Sequence, residues 1–158
     1  MFGFGKMRHT EIKAAANGRY LPLTDLNDGV FSKGTIGDGV VIQMSDDLIC
    51  SPCDGILTMV FPTRHAFGVK RNDGFEVLVH IGIDTVNLKG KGFQQLVKQN
   101  SVVKSGQPII QIDQKIFSEN NYVPYVIMII TNSNGIKYQK HEFVSAVRGE
   151  TCVIKTGD

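Results

Sequence analysis

The chain has 158 residues, of which 42% are hydrophobic and 20% are charged, and its formal net charge is +2. This length and composition are typical of one globular domain with a buried core. The small charge and the lack of a basic run with interleaved aromatic residues argue against a nucleic-acid partner. The longest apolar run, residues 126–130, is far too short to span a membrane, so we predict no stable membrane insertion.

The first ten residues, MFGFGKMRHT, combine apolar and cationic side chains but lack the continuous apolar core of a signal peptide. The predicted location is therefore the cytoplasm. Gly3 and Gly5 disfavour a helix, so we predict a flexible tail over residues 1–10 and a single domain over residues 11–158. A weak, salt-sensitive contact of this tail with an anionic membrane surface is the alternative.

Turn sequences rich in Gly, Asn and Asp recur at short intervals along the rest of the chain, and β-rich runs lie between them. This pattern predicts an all-β, mostly antiparallel sandwich or barrel with a few short helices. Residues 51–57 and 102–110 each indicate a strand, a glycine turn and a strand, as in barrel-sandwich hybrid folds. The predicted helices are residues 93–98 and 114–118, and the clearest predicted strands are residues 40–43, 55–61, 75–83, 109–112 and 125–131.

The chain contains three cysteines, an odd number that indicates no disulfide framework. Cys50 and Cys53 form a C-x-x-C sequence, but it continues into the turn Asp54-Gly55 and a strand instead of opening a helix. A metal site would need a second pair, and Cys152 stands alone. We interpret Cys50 and Cys53 as small buried side chains.

The run from residue 75 to residue 86 alternates in a way that predicts a strand with one buried face. The other face would carry His80 and Asp84, with Gly82 leaving open space between them. Such a mixture of polar and apolar groups is typical of a binding surface. The buried face would carry the apolar residues at odd positions, which are Phe75, Val77, Val79, Ile81 and Ile83.

His65 and His80 both lie in apolar, strand-like surroundings, and the tight turn at residues 72–74 separates their two runs. A hairpin would bring the two rings together, and each would then favour its neutral form near pH 7. A lone histidine in such a place is often a core residue whose hydrogen bonds are satisfied, but a pair of histidines indicates a functional site. Metal-dependent hydrolysis with His80 and Asp84 as ligands, acid–base hydrolysis and phosphoryl carriage all use such a pair.

The segment 65-HAFGV-69, followed by 75-FEVLVHIGIDTVNLKGKGF-93, resembles the glucose-type enzyme IIA (EIIA) domain of the bacterial phosphoenolpyruvate-dependent sugar phosphotransferase system. The resemblance extends upstream through DGVFSKGTIGDGVVI and SPCDG, and downstream through VVKSGQPII and GETCVIK, so that it covers residues 11–158. The HIGIDTV core with a second histidine fifteen positions earlier (80 − 65) is highly specific. Arg64 and the MSDD sequence at 44–47 depart from the family pattern, but they leave the histidine pair intact.

The resemblance implies that His80 is phosphorylated on Nε2, that His65 stabilises the phosphoryl group, and that Thr63 orients His65. It also implies that Asp28 and Asp84 form an acidic rim facing basic partners. An apolar collar around the site would bind these partners, and its implied members are Val30, Phe31, Ile36, Phe61, Leu78 and Val86.

The implied function is that of a phosphotransferase that takes a phosphoryl group from phospho-HPr and passes it to a cysteine of a sugar-specific enzyme IIB domain. No cofactor is required, although His65 and His80 could share a zinc ion with a carboxylate of a partner. Two alternatives stay open at this point. One is a regulatory module that docks on transporters or kinases. The other is a zinc metallopeptidase, against which the missing downstream His-x-His counts.

Overall fold

The computed structural model describes residues 10–26 and 28–157. Most of the predicted tail therefore lies outside the described residues. Thr10 is described, and its carbonyl oxygen accepts a hydrogen bond of 2.7 Å from the backbone N–H of Thr156.

Short strands dominate the described residues, as the recurring turns predict. The single α-helix there is α1, Gln114–Glu119, and three 3₁₀ helices are formed by Leu23–Leu26, Phe31–Lys33 and Thr85–Leu88. The strands are β1 Glu11–Lys13, β2 Gly18–Pro22, β3 Asp38–Met44, β4 Leu48–Cys50, β5 Gly55–Val60, β6 Ala66–Lys70, β7 Glu76–Ile81, β8 Phe93–Gln95, β9 Val102–Val103, β10 Pro108–Ile112, β11 Tyr125–Asn132, β12 Tyr138–Lys140, β13 Ser145–Ala146 and β14 Cys152–Thr156.

These strands form three antiparallel sheets. The largest has eight strands in the order β13-β2-β3-β11-β7-β6-β5-β9, and the two smaller sheets have the orders β1-β14-β12 and β4-β10-β8. Every strand pair among the described residues is antiparallel, which confirms the predicted all-β class.

Two apolar clusters cover opposite faces of the large sheet. Val40 and Ile42 of β3 point into the main core, whereas Val41 between them joins a second, smaller cluster. Because side chains alternate along a strand, β3 and β11 are buried on both faces and have nearly continuous apolar sequences. The second cluster lies beneath the candidate site and consists of Leu23, Leu26, Phe31, Val41, Ile127 and Ile129.

One of the two predicted helices is wrong. Residues 114–118 are helical, but the stretch 93–98 begins with strand β8, in which Phe93 pairs with Ile112 of β10. Phe93 is buried while Gln94 and Gln95 are exposed. The backbone pairing with β10 outweighs the weak local preference of this stretch for a helix.

The predicted strand over residues 75–83 ends early, at Ile81. Gly82 follows with a φ of 77°, which turns the chain out of the sheet. Four of the five odd-numbered residues are fully buried as predicted, but Ile83 leaves the main core and packs against the second cluster. The expectation of open space beside Gly82 is also wrong, because a Cβ added to Gly82 would clash with Cγ2 of Thr85.

Both sulfur atoms of the C-x-x-C sequence are buried, in agreement with the interpretation as core side chains. Cys50 is 0% exposed and Cys53 is 2% exposed, and both are free thiols. Burial raises the pKa of Cys50 to about 11 and that of Cys53 to about 12. Such thiols are poor nucleophiles and poor metal ligands at neutral pH.

Candidate functional site: a histidine pair beside an apolar cavity

The hairpin of β6 and β7 brings the two histidines together, as its turn sequence predicts. Ala66 lies opposite His80 in the register of the two strands, and the carbonyl oxygen of His65 accepts a hydrogen bond from the backbone N–H of Ile81 at 2.7 Å. The rings of His65 and His80 are consequently close, with centroids 5.0 Å apart.

A backbone carbonyl fixes the orientation of the His80 ring. Nδ1 of His80 lies 2.8 Å from the carbonyl oxygen of Gly82. A carbonyl oxygen can only accept, so Nδ1 carries the hydrogen and, in the neutral ring, Nε2 carries the lone pair. The ring of Phe31 packs against that of His80, with the two centroids 4.8 Å apart. The geometry thus leaves the lone pair of the neutral His80 ring on Nε2.

His65 is held by a side-chain hydroxyl instead. Oγ1 of Thr63 lies 2.6 Å from Nδ1 of His65, and the ring of Phe61 contacts His65 edge-on at 5.2 Å between centroids. A hydroxyl can donate or accept, so this bond serves either tautomer of the ring. When Thr63 donates to Nδ1, Nε2 of His65 carries a hydrogen that it can donate to another group.

Burial keeps both rings neutral near pH 7. Desolvation lowers the pKa of His80 to about 4, with a further lowering from the neighbouring His65. The hydrogen bond to Gly82 and the charges of Asp28 and Asp84 act in the opposite direction. Burial also lowers the pKa of His65, which is 5% exposed. A neutral His80 is ready to act as a nucleophile at neutral pH.

A cavity of about 190 Å³ opens beside His80. Two of the implied collar residues that line it, Val30 and Val86, are each 48% exposed, so the rim of the cavity is apolar and open to a partner. The residues that line the cavity are Asp28, Val30, Phe31, His80, Ile83, Asp84 and Val86.

Three other implied collar residues, Leu78, Phe61 and Ile36, do not line this cavity. Leu78 packs against the second apolar cluster beneath the site, and Phe61 contacts His65. Ile36 is 42% exposed in the loop between the 3₁₀ helix 31–33 and β3, outside the lining of the cavity. Ile83 lines the cavity although the strand pattern assigned it to the main core; the positive φ of Gly82 places it there.

The two rim carboxylates differ in their bonding. The carboxylate of Asp28 accepts hydrogen bonds from the backbone N–H groups of Val30, Phe31 and Ser32, at 3.0–3.2 Å, and so holds the start of the 3₁₀ helix 31–33. Burial would raise the pKa of Asp28, but these hydrogen bonds outweigh it and lower the pKa. Asp84 is exposed and has a φ of 62° just before the 3₁₀ helix 85–88. Asp28 thus also has a structural role that the sequence did not reveal.

Arg64, the departure from the family pattern next to His65, links two loops at the site. Its φ of 61° places it in the left-handed region, and its Nη2 donates a hydrogen bond of 3.2 Å to the carbonyl oxygen of Gly90. Nε of Arg64 is buried and finds no hydrogen-bond partner among the described residues. The turn that carries Thr63 and His65 is thereby attached to the loop that follows the 3₁₀ helix 85–88.

Within residues 10–26 and 28–157, no three His, Cys, Asp or Glu side chains are grouped closely enough to hold a metal ion. His65 and His80 could supply two imidazole ligands, and a partner would have to supply the others. No helix in the described part of the chain is long and apolar enough to cross a membrane.

A mostly antiparallel β domain with two neutral, adjacent histidines at an apolar cavity fits a phosphohistidine carrier. The family model of the phosphoenolpyruvate-dependent sugar phosphotransferase system, EIIA 1, matches residues 10–138. The chain belongs to this EIIA family. It is therefore a phosphotransferase component that serves as a phosphocarrier in sugar uptake, as its sequence implies.

Individual relatives agree with this assignment. The glucose-specific EIIA component of Staphylococcus epidermidis is 40% identical over 156 residues, which cover 96% of this chain and 94% of the relative. The glucose-specific EIICBA component of Staphylococcus carnosus is 38% identical over 124 residues, which cover 78% of this chain and 18% of that longer protein. The solved structure of glucose permease IIA from Mycoplasma capricolum has a TM-score of 0.83 and 32% identity, and the match covers 91% of this chain and 94% of that one.

Family membership favours phosphoryl carriage over the two alternative functions that the sequence left open. Neither the regulatory module without phosphoryl transfer nor the zinc metallopeptidase gains support from the relatives or from the described residues. The EIIA family passes phosphoryl groups from HPr to an EIIB domain, and the EIICBA relative carries the B and A components in one chain.

Proposed function

We propose that this chain accepts a phosphoryl group from phospho-HPr on Nε2 of His80 and delivers it to a cysteine of a sugar-specific enzyme IIB domain. The observation that carries the proposal is the 2.8 Å contact between Nδ1 of His80 and the carbonyl oxygen of Gly82, which leaves the lone pair on Nε2. The pKa of His80, lowered to about 4 by burial, keeps that lone pair free at neutral pH.

In the first step, the lone pair of His80 Nε2 attacks the phosphorus atom of phospho-HPr. A P–N bond forms to His80 as the P–N bond of HPr breaks, and the electron pair of the broken bond returns to the imidazole of HPr. The proton on Nδ1 of His80 stays in place, bonded to the carbonyl oxygen of Gly82. In the second step, a cysteine thiolate of enzyme IIB attacks the same phosphorus atom, and His80 leaves as a neutral ring. Phosphoryl transfer of this kind depends on positioning and on charge stabilisation.

His65 stabilises the migrating group in this scheme. Its ring lies next to that of His80, and an N–H on Nε2 would donate a hydrogen bond to a phosphoryl oxygen. Thr63 holds the ring by donating to Nδ1, at 2.6 Å between the two atoms. Once the phosphoryl dianion is present, its charge favours a protonated His65, and the hydroxyl of Thr63 can then accept from Nδ1 instead.

Both partners dock on the apolar collar around the cavity, and the acidic rim attracts basic partner surfaces. Exposed Val30 and Val86 support this proposal, as does the exposed carboxylate of Asp84. The docking surface comprises Asp28, Val30, Phe31, Ile36, Phe61, Leu78, Asp84 and Val86. The relatives are named glucose-specific, which supports an enzyme IIB domain of the glucose class as acceptor. We propose that the transfer takes place in the cytoplasm and requires no cofactor. The single EIIA domain comprises residues 11–158 in this proposal.

The test is phosphorylation in a reconstituted mixture of phosphoenolpyruvate, enzyme I and HPr, followed by intact mass. The chain should gain one phosphoryl group that is labile in acid and stable in alkali, as a phosphoramidate is. His80→Ala should abolish the gain. The matched control is His141→Ala, since His141 lies outside the site, and it should be labelled like the wild type. Labelling of His80→Ala would show that another residue is the acceptor.

A further inference from the structure

The carbonyl oxygen that orients His80 belongs to a turn that has its own support. Gly82 has a φ of 77°, and Asp84 has a φ of 62°, so two positive φ angles lie within three residues after β7. Such a turn is not the default conformation of the chain. Surrounding contacts have to hold it, because Gly82 itself can adopt many other backbone angles.

Two hydrogen bonds hold opposite sides of one peptide unit in this turn. The hydroxyl of Thr85 donates to the carbonyl oxygen of Ile81, and the backbone N–H of Gly82 donates to the carbonyl oxygen of Tyr125 at 2.7 Å. The Ile81 carbonyl and the Gly82 N–H are the two polar groups of the same planar peptide. With both groups bonded, the plane of this peptide is held, and this constrains the direction of the next carbonyl, that of Gly82.

Thr85 is placed for this role by its packing. Its side chain is 0% exposed, and its Cγ2 atom occupies the space that a Cβ at position 82 would need. Gly82 and Thr85 are therefore sterically matched: the missing side chain of one admits the methyl group of the other. The hydroxyl of Thr85 is buried, and its bond to Ile81 satisfies both groups without water.

We infer that Thr85 is a positioning residue that fixes the tautomer of His80 through the turn of residues 81–85. Its hydroxyl holds the Ile81–Gly82 peptide, and the Gly82 carbonyl then keeps the hydrogen of His80 on Nδ1. In the opposite tautomer Nε2 carries the hydrogen and has no lone pair with which to attack phosphorus. This inference rests on the proposed role of His80 as the phosphoryl acceptor.

The experiment compares three variants. Thr85→Val removes the hydroxyl but keeps the shape, Thr85→Ser keeps the hydroxyl but removes the methyl group, and Thr58→Val is the matched control. Thr58 is exposed on β5, and its hydroxyl donates to the carbonyl oxygen of Gly68 at 3.3 Å, so its loss removes the same kind of bond elsewhere. The measurements are the ring ¹⁵N shifts of His80 in the unphosphorylated protein and the single-turnover rate of phosphoryl acceptance from phospho-HPr.

We expect Thr85→Val to show a mixture of His80 tautomers. It should accept phosphoryl about 10- to 100-fold more slowly, because small misplacements of reacting groups cause rate losses of this size. Thr85→Ser and Thr58→Val should keep the Nδ1–H tautomer and rates within about 2-fold of the wild type. A merely structural role of Thr85 would change the melting temperature but leave the tautomer unchanged in the folded protein.

The inference is overturned if Thr85→Val keeps the wild-type tautomer and rate, or if Thr85→Ser is as slow as Thr85→Val. If Thr85→Val does not fold, Thr85→Ser and Thr85→Ala decide the question in the same way, because only Ser retains the hydroxyl. If wild-type His80 accepts no phosphoryl group, the proposed function fails. The ¹⁵N comparison then still shows whether Thr85 sets the tautomer.

Discussion

The rings of His65 and His80 meet edge to face, with centroids 5.0 Å apart and planes inclined at 81°. At this distance two imidazolium charges would repel each other, and burial disfavours each charge further. Both rings therefore favour the neutral form, as the proposed attack by one ring and hydrogen-bond donation by the other require.

The first prediction concerns stability against pH. The pKa of His80 is about 4 in the folded chain and 6.5 in an unfolded one. Between these values the unfolded chain binds a proton that the folded chain does not, so the free energy of unfolding falls as pH falls from 6.5 towards 4. The full shift corresponds to about 3 kcal/mol.

His80→Gln isolates this contribution from the carboxylates, which also titrate in acid. Urea unfolding at pH 7 and at pH 4.5 should show a smaller loss of stability for the variant than for the wild type. Equal losses in the two proteins would mean that His80 is not buried in the neutral form.

The second prediction separates the two histidines by half-reaction. His65→Gln should still accept phosphoryl from HPr, since the variant keeps His80 Nε2, the proposed nucleophile. Delivery to enzyme IIB should fall on the order of 10²-fold, because the variant lacks the ring N–H that we propose to stabilise the migrating group. Stopped-flow or quench-flow measurement of each half-reaction tests this division. An equal loss in both half-reactions would refute it.

The third prediction concerns the docking collar. Val86→Lys places a charge at the rim of the cavity, where Val86 is 48% exposed. It should raise KM for phospho-HPr about 10-fold or more, because a basic partner would meet a like charge. The free energy of unfolding should be nearly unchanged, because the substitution is at the surface. The control is Val102→Lys on edge strand β9, where Val102 is 69% exposed. Similar KM values for the two variants would show that the collar is not part of the docking surface.

The fourth prediction concerns the thiols. Because burial raises the pKa values of Cys50 and Cys53 to about 11 and 12, these side chains should resist iodoacetamide at pH 8 in the folded protein. Any early modification should fall on Cys152, which is only half-buried, and Cys152→Ser should remove it. All three cysteines should react once the chain is unfolded. Peptide mass spectrometry that finds rapid labelling of Cys50 or Cys53 would contradict the core assignment.

The sequence predicted the hairpin that pairs the histidines because its signals are local. Alternating apolar residues mark β7, and the turn at residues 72–74 limits the register to one that brings Ala66 opposite His80. The end of β7 could not be predicted in this way. Only the tertiary structure shows that Gly82 adopts a positive φ, because glycine is compatible with either sign.

Contacts between distant segments account for the other differences. β8 forms because Phe93 pairs with Ile112, nineteen positions along the chain (112 − 93), and no feature within the stretch 93–98 indicates this. The bond from Arg64 to Gly90 likewise joins two loops that the sequence leaves independent. Thr85 stands within the HIGIDTV sequence, but the direction of its hydroxyl depends on a turn that local patterns do not define.

The most direct test of the central claim is ¹H–¹⁵N NMR of the histidine rings in the phosphorylated chain. We predict phosphorus–nitrogen coupling on Nε2 of His80, with the hydrogen on Nδ1 retained and bonded to the carbonyl oxygen of Gly82. Coupling on Nδ1 of His80, or on either nitrogen of His65, would contradict the account.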